Sequence, residues 1–79
     1  MEYHYRFDEY TLLRILDRAP HGILVEFQGD VSRRFSSAEA AARAAYQHES
    51  GCLAWDESEF ACTPDLSDWT PGPGAERVR

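Results

Sequence analysis

The first residues of the chain alternate between apolar and polar side chains. One side of an extended chain would carry Tyr3, Tyr5 and Phe7, and the other side Glu2, His4 and Arg6. A period of two is typical of a β-strand with one face buried and the other in water. The pattern therefore predicts a first strand over residues 2–7.

The next segment fits two different structures. Asp8 stands where an N-cap residue would, and four of the six residues at 11–16 are Leu or Ile with the spacing of one helix face. This pattern predicts a short helix over residues 9–18. The same letters, TLLRIL, can also continue the alternation, in which case the segment is a strand that forms a hairpin with the first. Pro20 and Gly22 end the element in both cases.

Two more strands are predicted between residues 23 and 35. Ile23, Val25 and Phe27 give the first of them an apolar face, and Val31 and Phe35 do the same for the second. The residues between them, 28–30, are typical of a hairpin turn.

The register of this hairpin decides where its charged residues lie. Pairing Phe27 with Val31 places Arg33 on the apolar face, where it needs a position at the margin of the sheet or an acidic partner. Glu26 and Arg34 then point to the other face. We expect them to form a diagonal ion pair across the two strands.

A helix is the clearest element of the sequence. Ser36 and Glu39 stand three residues apart, as in a capping box, and seven of the nine residues from 38 to 46 are alanine or tyrosine. Alanine combines high helix propensity with little bulk, so this helix can lie close on a sheet. Gly51 is expected to close the segment.

Residues 52–63 are predicted to form a second hairpin with short strands. A two-residue turn would place Trp55 opposite Phe60, and a three-residue turn would place Cys52 opposite Cys62. The sequence leaves both registers open. Trp69 is expected to dock back on the domain before the run of Pro and Gly at residues 71–74.

Together these elements predict one compact α+β domain over residues 1–70. The element order β-α-β-β-α-β permits a ferredoxin-like antiparallel sheet with both helices on one face. If the first helix is a strand instead, the result is a β-meander with a single helix. Residues 71–79 are predicted to be a disordered C-terminal tail, because Pro and Gly continue neither helix nor sheet.

The formal charge of −6 is concentrated in the second half of the chain. Residues 1–48 hold seven acids and six arginines, whereas residues 49–79 hold seven acids and two arginines. From Glu49 to Asp68 there are six acids and no base. Such a segment repels phosphate, so direct binding of nucleic acid is not expected. It suits either solubility or contact with a basic partner.

No cofactor, metal site or catalytic centre is predicted. The three histidines and two cysteines lack the paired short spacings of a zinc site. Cys52 and Cys62 lie in the most acidic stretch, where a reactive thiolate is disfavoured. Asp56, Glu57 and Glu59 crowd a predicted turn, where no cleft holds a substrate. We therefore expect a protein that is not an enzyme.

The N-terminal region and the hydropathy indicate a cytoplasmic protein. No run of about 18 apolar residues is present, and the first ten residues form neither a basic nor an apolar signal region. We expect no contact with a membrane. Two cysteines in a reducing compartment are expected as thiols.

Two tryptophans stand among the acids of the second half. A tryptophan flanked by carboxylates is typical of a protein-binding hot spot, although a small core also needs large rings. The residues predicted to bind a partner are Trp55, Asp56, Glu57, Glu59, Asp65, Asp68 and Trp69.

In its size, its acidity and the hairpin-then-helix layout around VSRRFSSAEAAARAAYQH, the chain resembles the small anti-CRISPR proteins of phages and mobile elements. The resemblance implies a non-catalytic inhibitor that binds a Cas effector complex as a DNA mimic, in the cytoplasm of the infected host. The sequence leaves an alternative open. The protein would then be a small bacterial accessory or regulatory module that forms a homodimer through a sheet edge, with its acids serving solubility alone.

Overall fold

A computed structural model describes residues 2–72 and residue 74 of the chain. Five strands form one antiparallel sheet in the order β4-β3-β2-β1-β5. The elements in chain order are β1 (Tyr3–Arg6), β2 (Leu12–Asp17), β3 (Ile23–Phe27), β4 (Asp30–Val31), α1 (Ala38–Tyr46), α2 (Leu53–Asp56), a 3-10 helix (Leu66–Asp68) and β5 (Thr70–Pro71).

The α+β class with an antiparallel sheet is confirmed, whereas the ferredoxin-like strand order is wrong. Strands β1 to β4 are neighbours in the order in which they occur along the chain, so they form a meander, and β5 returns to pair with β1. Both helices pack on the face of the sheet that carries Leu13, Ile15, Val25 and Phe27. The core therefore lies between one sheet face and the helical layer.

The helix predicted over residues 9–18 is replaced by β2. Leu13 and Ile15 face the helices and have no exposed surface. Leu12 and Leu16 point to the opposite face and are nevertheless only 7% and 3% exposed. Leu16 lies across from Leu24 on β3. A strand that is buried on both faces has no simple alternation, and its run of apolar residues looks like one face of a helix.

The turn between β3 and β4 sets a different register from the one predicted. Gln28 and Gly29 have φ values of 53° and 86°, so they form a two-residue hairpin turn of the type that matches the twist of a sheet. This turn pairs Phe27 with Asp30 rather than with Val31. Val31 is therefore 49% exposed on the outer face of the sheet.

This register also moves the arginines that follow β4. Ser32 takes the inward position next to Val25, and its hydroxyl accepts a hydrogen bond from the Val25 amide at 2.7 Å. Arg33 instead lies with its guanidinium carbon 4.7 Å from the centre of the Phe35 ring. Its Nη1 donates to the carbonyl oxygen of Glu49 at 2.8 Å, so the arginine ties this edge to the segment after α1.

The predicted ion pair between Glu26 and Arg34 does not form. Glu26 pairs with Arg14 on the neighbouring strand, with 2.8 Å between Oε1 and Nη1. The aliphatic part of Arg34 lies over Gly22, where an added Cβ would come within 3.3 Å of it. Arg14 lies directly opposite Glu26 on β2. Arg34 would be a diagonal partner beyond the two-residue strand β4, and so a more distant one.

The alanine-rich helix is confirmed, with its start one residue later than predicted. Ser37, not Ser36, is the N-cap, and its hydroxyl accepts from the Ala40 amide at 3.0 Å. The helix ends in a Schellman arrangement in which the amides of His48 and Glu49 donate to Ala45 and Ala44. His48 takes the left-handed position with φ 56°, where a non-glycine residue costs about 1–2 kcal/mol.

The hairpin predicted over residues 52–63 is wrong. Residues 53–56 form the single turn of α2, and the chain then runs without regular structure to the 3-10 helix. Trp55 and Phe60 do not face each other across a turn. Both rings instead contact Phe27, at 5.2 and 5.7 Å between ring centres. Cys52 and Cys62 are free thiols, and both are buried.

The end of the described chain belongs to the sheet. Beside β5, the Gly72 amide donates to the Glu2 carbonyl at 2.6 Å, and the Gly72 carbonyl lies 2.9 Å from Nδ1 of His4. Residues 71 and 72, the first two of the segment predicted to be a tail, therefore contact β1 and the residue before it. Apart from Gly74, the rest of that predicted tail lies outside the described residues.

Candidate protein-binding surface

Trp55 lies at the centre of the core and has no exposed surface. Its indole Nε1 donates to the carbonyl oxygen of Ala45 at 2.7 Å, which joins α2 to the last turn of α1. The His48 ring stacks on the indole at 4.8 Å with an angle of 8° between the planes. The prediction of Trp55 as a surface anchor is therefore replaced by a structural role.

Trp69 is also buried, with 4% of its surface exposed. Its Nε1 donates to the Thr63 carbonyl at 3.0 Å, and its ring packs edge-on against Tyr5 at 5.3 Å. Trp69 docks on the domain as predicted from the sequence. Both tryptophans therefore present little surface to a partner in this structure.

Asp56 has an internal function in the fold. Its carboxylate accepts hydrogen bonds from the Ser50 amide at 3.1 Å, from the Ser50 hydroxyl at 2.9 Å and from the Gly51 amide at 2.9 Å. Ser50 has no exposed surface. Asp56 thus closes the loop between the two helices, and its oxygens face that loop.

Asp65 and Asp68 lie at the two ends of the 3-10 helix that precedes β5. Asp65 caps the 3-10 helix by accepting from the Ser67 amide at 3.0 Å, and this hydrogen bond lowers the pKa of the Asp65 carboxyl. Asp68 is exposed and borders an open cavity of about 280 Å³ together with His4 and Arg6. Thr70 lies opposite His4, so this register places Asp68 toward Arg6 and the end of β1.

Glu57 and Glu59 are exposed at one end of the sheet. Between them and the core lies Phe60, whose ring centre is 4.7 Å from that of Phe7 and 5.7 Å from that of Phe27. Phe7 follows the last residue of β1, and Phe27 is the last residue of β3. The loop at residues 57–60 therefore covers the end of the sheet where β1 and β3 finish.

Two further acidic loops meet at the same end. In a meander, the β1–β2 and β3–β4 connections lie at one end of the sheet, and Tyr10 and Gly29 from these connections border a common cavity of about 110 Å³. The side chain of Asp30 accepts from the Ala54 amide at 3.1 Å, which brings α2 to this end as well. We call the acids of these three loops the acidic pole: Asp8, Glu9, Asp30, Glu57 and Glu59.

Three of these five acids come from the first half of the chain, and sequence reasoning missed them. Counting charge along the chain placed the acidic surface at residues 49–68, because Asp8, Glu9 and Asp30 are balanced in sequence by arginines. The signal that would have found them is the alternative strand at TLLRIL, since a hairpin there puts the loop after β1 and the turn after β3 at one end.

Two arginines near the acidic pole bind other groups. Arg14 pairs with Glu26 of the sheet, and Arg6 binds backbone carbonyl oxygens. Arg6 donates from Nη1 to the carbonyl oxygens of Asp8 and Glu9, at 3.0 and 2.9 Å, and so lies along the loop. Asp8 in turn accepts from the Tyr10 amide at 2.8 Å, and this bond lowers the pKa of its carboxyl. The loop is therefore fixed in shape with its carboxylates at the surface.

The opposite end of the sheet has a different charge pattern. The β2–β3 connection carries Arg18 and His21, and Arg34 lies beside it against Gly22. Glu2 at this end is bound to Arg18, with 3.0 Å between Oε2 and Nη1. With the exposed Asp17 at the end of β2, acids and bases are mixed at this end, whereas acids predominate at the acidic pole.

The two buried thiols are poorly suited to nucleophilic chemistry. Loss of solvation raises the pKa of Cys62 to about 12 and also raises the pKa of Cys52. Both groups are protonated thiols at neutral pH. Among residues 2–72 and 74, no three His, Cys, Asp or Glu side chains form a group that could hold a metal ion.

Thiol reactivity offers a direct check of this packing. A pKa near 12 instead of 9.0 lowers the thiolate fraction of Cys62 about 10³-fold at neutral pH, so its reaction with Ellman's reagent should be slower by about that factor in the folded protein than in urea. The C62S variant isolates Cys52 and should also react slowly. Rapid release of two equivalents of chromophore from the folded protein would contradict the buried positions.

None of the helices in the described part of the chain is long and apolar enough to cross a membrane. In fold the protein is an α+β meander sheet with helices on one face and a cluster of acids at one end. No protein-family model matches this chain, and no curated protein or solved structure matches it either.

Proposed function

We propose that this protein is a non-catalytic binding protein whose acidic pole occupies a basic, nucleic-acid-binding surface of a partner protein. The observation that carries the proposal is the meeting of three acidic loops at one end of the sheet. Four of their acids, Asp8, Glu9, Glu57 and Glu59, are exposed. A surface of this kind competes with phosphate for arginine and lysine.

The arrangement of the charges favours contact with a broad basic groove. Charges that lie within one Debye length, about 8–10 Å at physiological salt, act together on an approaching cation. Acids on loops at one end of a narrow sheet lie within this distance of one another more readily than acids spread along an unfolded chain. Electrostatic steering of this type raises the rate of association and makes it sensitive to salt.

Several partner classes carry such a groove. An effector complex that holds a nucleic-acid duplex in a positively charged channel is one of them. We include the Cas effector complexes among the candidate partners on this ground and on the resemblance in size and charge to anti-CRISPR proteins. The protein would then act by blocking DNA recognition.

Self-association through a sheet edge is the alternative function, and the edges give it little support. Each outer strand is two residues long, and β5 ends at Pro71, which has no amide hydrogen to donate. At the other edge, Gly51 lies so close to the backbone of Arg33 that an added Cβ would come within 3.2 Å of its amide nitrogen. Short or covered edges are typical of sheets that do not add further strands.

Charge reversal at the acidic pole tests the proposed function. The double variant E57K/E59K should lose its partner, with at least about tenfold weaker binding, because the change turns attraction into repulsion at two exposed positions. Partner binding is measured by affinity capture from a nuclease-treated lysate of the source organism. Elution of the captured protein with a DNA duplex is expected, and its yield should fall steeply as the salt concentration rises.

A matched control shows whether the position of the reversed charges matters or only the change in net charge. The variant E39K/E49K changes the net charge by the same amount, at exposed residues of α1 and of the segment that contacts Arg33. It should retain the partner. Equal loss in both variants, equal retention in both, or capture of no protein by the wild type would contradict the proposed function.

A further inference from the structure

We propose that the partner presents a short basic peptide segment with one apolar side chain, and that this side chain packs against Phe60 in the middle of the acidic pole. This inference rests on the proposed function and adds to it the chemistry of the bound segment. In this proposal Phe60, which is accessible, takes the role of apolar anchor that the sequence predicted for Trp55 and Trp69.

Phe60 is both exposed and held in place. It is 37% exposed, whereas Trp55 and Trp69 are 0% and 4% exposed. The buried part of the ring packs on Phe7 and Phe27, with ring centres 4.7 and 5.7 Å apart. A large side chain whose position is fixed before binding loses little conformational entropy when a partner covers it.

The backbone of Phe60 is fixed as well as its ring. Nε2 of His48 donates to the Phe60 carbonyl oxygen at 2.8 Å while the imidazole stacks on Trp55. His48 holds a left-handed backbone conformation, which glycine usually supplies at the end of a helix. The imidazole thus links α1 to the loop that carries Phe60.

Space for an incoming side chain lies next to Phe60. An open cavity of about 520 Å³ is bordered by Ser58, Glu59 and Phe60, and most of its surface is apolar. Among the described residues, the Ser58 hydroxyl oxygen is buried and has no hydrogen-bond partner.

Charge complementarity identifies the occupant. Glu57 and Glu59 precede Phe60 by three residues and by one, and Asp8 follows Phe7, whose ring contacts Phe60. All three acids are exposed, so arginines or lysines next to an apolar residue of the bound segment would meet carboxylates. A second copy of this chain brings a net charge of −6 and an identical acidic pole, so it is repelled from this end. A nucleic acid is repelled for the same reason.

The test uses three short synthetic peptides titrated into the isotope-labelled protein at low salt. One peptide carries arginines and lysines around a central leucine, the second has serine in place of that leucine, and the third has glutamates in place of the basic residues. Amide chemical shifts give both the affinity and the location. The leucine peptide should bind about tenfold more tightly than the serine peptide, with the largest shifts at residues 58–60, and the acidic peptide should not bind.

Variants test the role of Phe60 and the role of the acidic pole separately. F60A should weaken the leucine peptide to the level of the serine peptide and leave the serine peptide unchanged, whereas E57K/E59K should weaken both basic peptides. V31A is the matched control, because Val31 is an exposed apolar residue on the opposite face of the sheet. It should bind the two basic peptides with the affinities of the wild type and should not bind the acidic one.

The outcomes overturn different statements. Equal affinity of the two basic peptides, or unchanged discrimination by F60A, overturns the role of Phe60 and leaves the acidic pole intact. Absence of binding by both basic peptides overturns the proposed function together with this inference. If F60A fails to fold, the wild-type shift map decides, since shifts centred on β5 or on the outer sheet face overturn the assignment to Phe60.

Discussion

Replacing Trp55 with alanine should remove a large part of the stability of the domain. Truncation of a buried tryptophan costs about 3–5 kcal/mol, and a domain of 79 residues has a total stability of only about 4–12 kcal/mol. The variant also removes the hydrogen bond from Nε1 to the Ala45 carbonyl, which then accepts from the His48 amide without the indole. Urea unfolding followed by circular dichroism measures the loss.

Two further variants show which property of Trp55 matters. W55F keeps a ring among Phe7 and Phe27 and loses the indole hydrogen bond, so we expect a smaller cost of about 1–2 kcal/mol. L53A changes a residue of the same helix that is 63% exposed, and it should change the stability by less than about 0.5 kcal/mol. A midpoint for W55A close to that of L53A would show that Trp55 is not the centre of the core.

Replacing Asp56 with alanine should have the second largest effect on stability. The carboxylate accepts three hydrogen bonds, two of them from the fully buried Ser50. A buried donor that loses its acceptor costs about 1–3 kcal/mol, whereas the exposed Gly51 amide can turn to water, and donors that share one carboxylate do not add fully. We expect a loss of about 2–4 kcal/mol, measured by urea unfolding.

The neighbours of Asp56 provide the comparison. D56N keeps one carbonyl oxygen as an acceptor and should lose roughly half as much stability as D56A, about 1–2 kcal/mol. E57A removes the adjacent exposed carboxylate and should be neutral within about 0.5 kcal/mol. The idea that Asp56 holds the loop between the helices fails if D56A is as stable as E57A.

The elements that depend on local sequence were predictable. The alternation at residues 2–7 appears as β1, and the alanine-rich stretch appears as α1 with its cap shifted from Ser36 to Ser37. Each of these elements has one buried face, so its periodicity is visible in the sequence. Strand β2 is the exception, because Leu12 and Leu16 are covered on the outer face while Leu13 and Ile15 are covered on the inner face.

The candidate surface was predictable only in part. Glu57 and Glu59 lie at the surface, but composition cannot show the direction in which a side chain points. Trp55 turns inward because a small core needs a large ring between α1 and β3, and Asp56 turns toward Ser50 as a consequence of the same helical turn. The acidic pole depends on contacts between three loops far apart in sequence, which a charge count along the chain does not reveal.

The pairing of β5 with β1 decides how this domain can be attached to other molecules. Glu2 and Gly72 are joined by a backbone hydrogen bond, and Glu2 also binds Arg18 in the connection between β2 and β3. Both residues thus lie at the end of the sheet away from the acidic pole. The chain thus enters β1 and leaves β5 at one end of the sheet, while the three acidic loops lie at the other, so a support that holds the domain at Glu2 or Gly72 leaves those loops accessible.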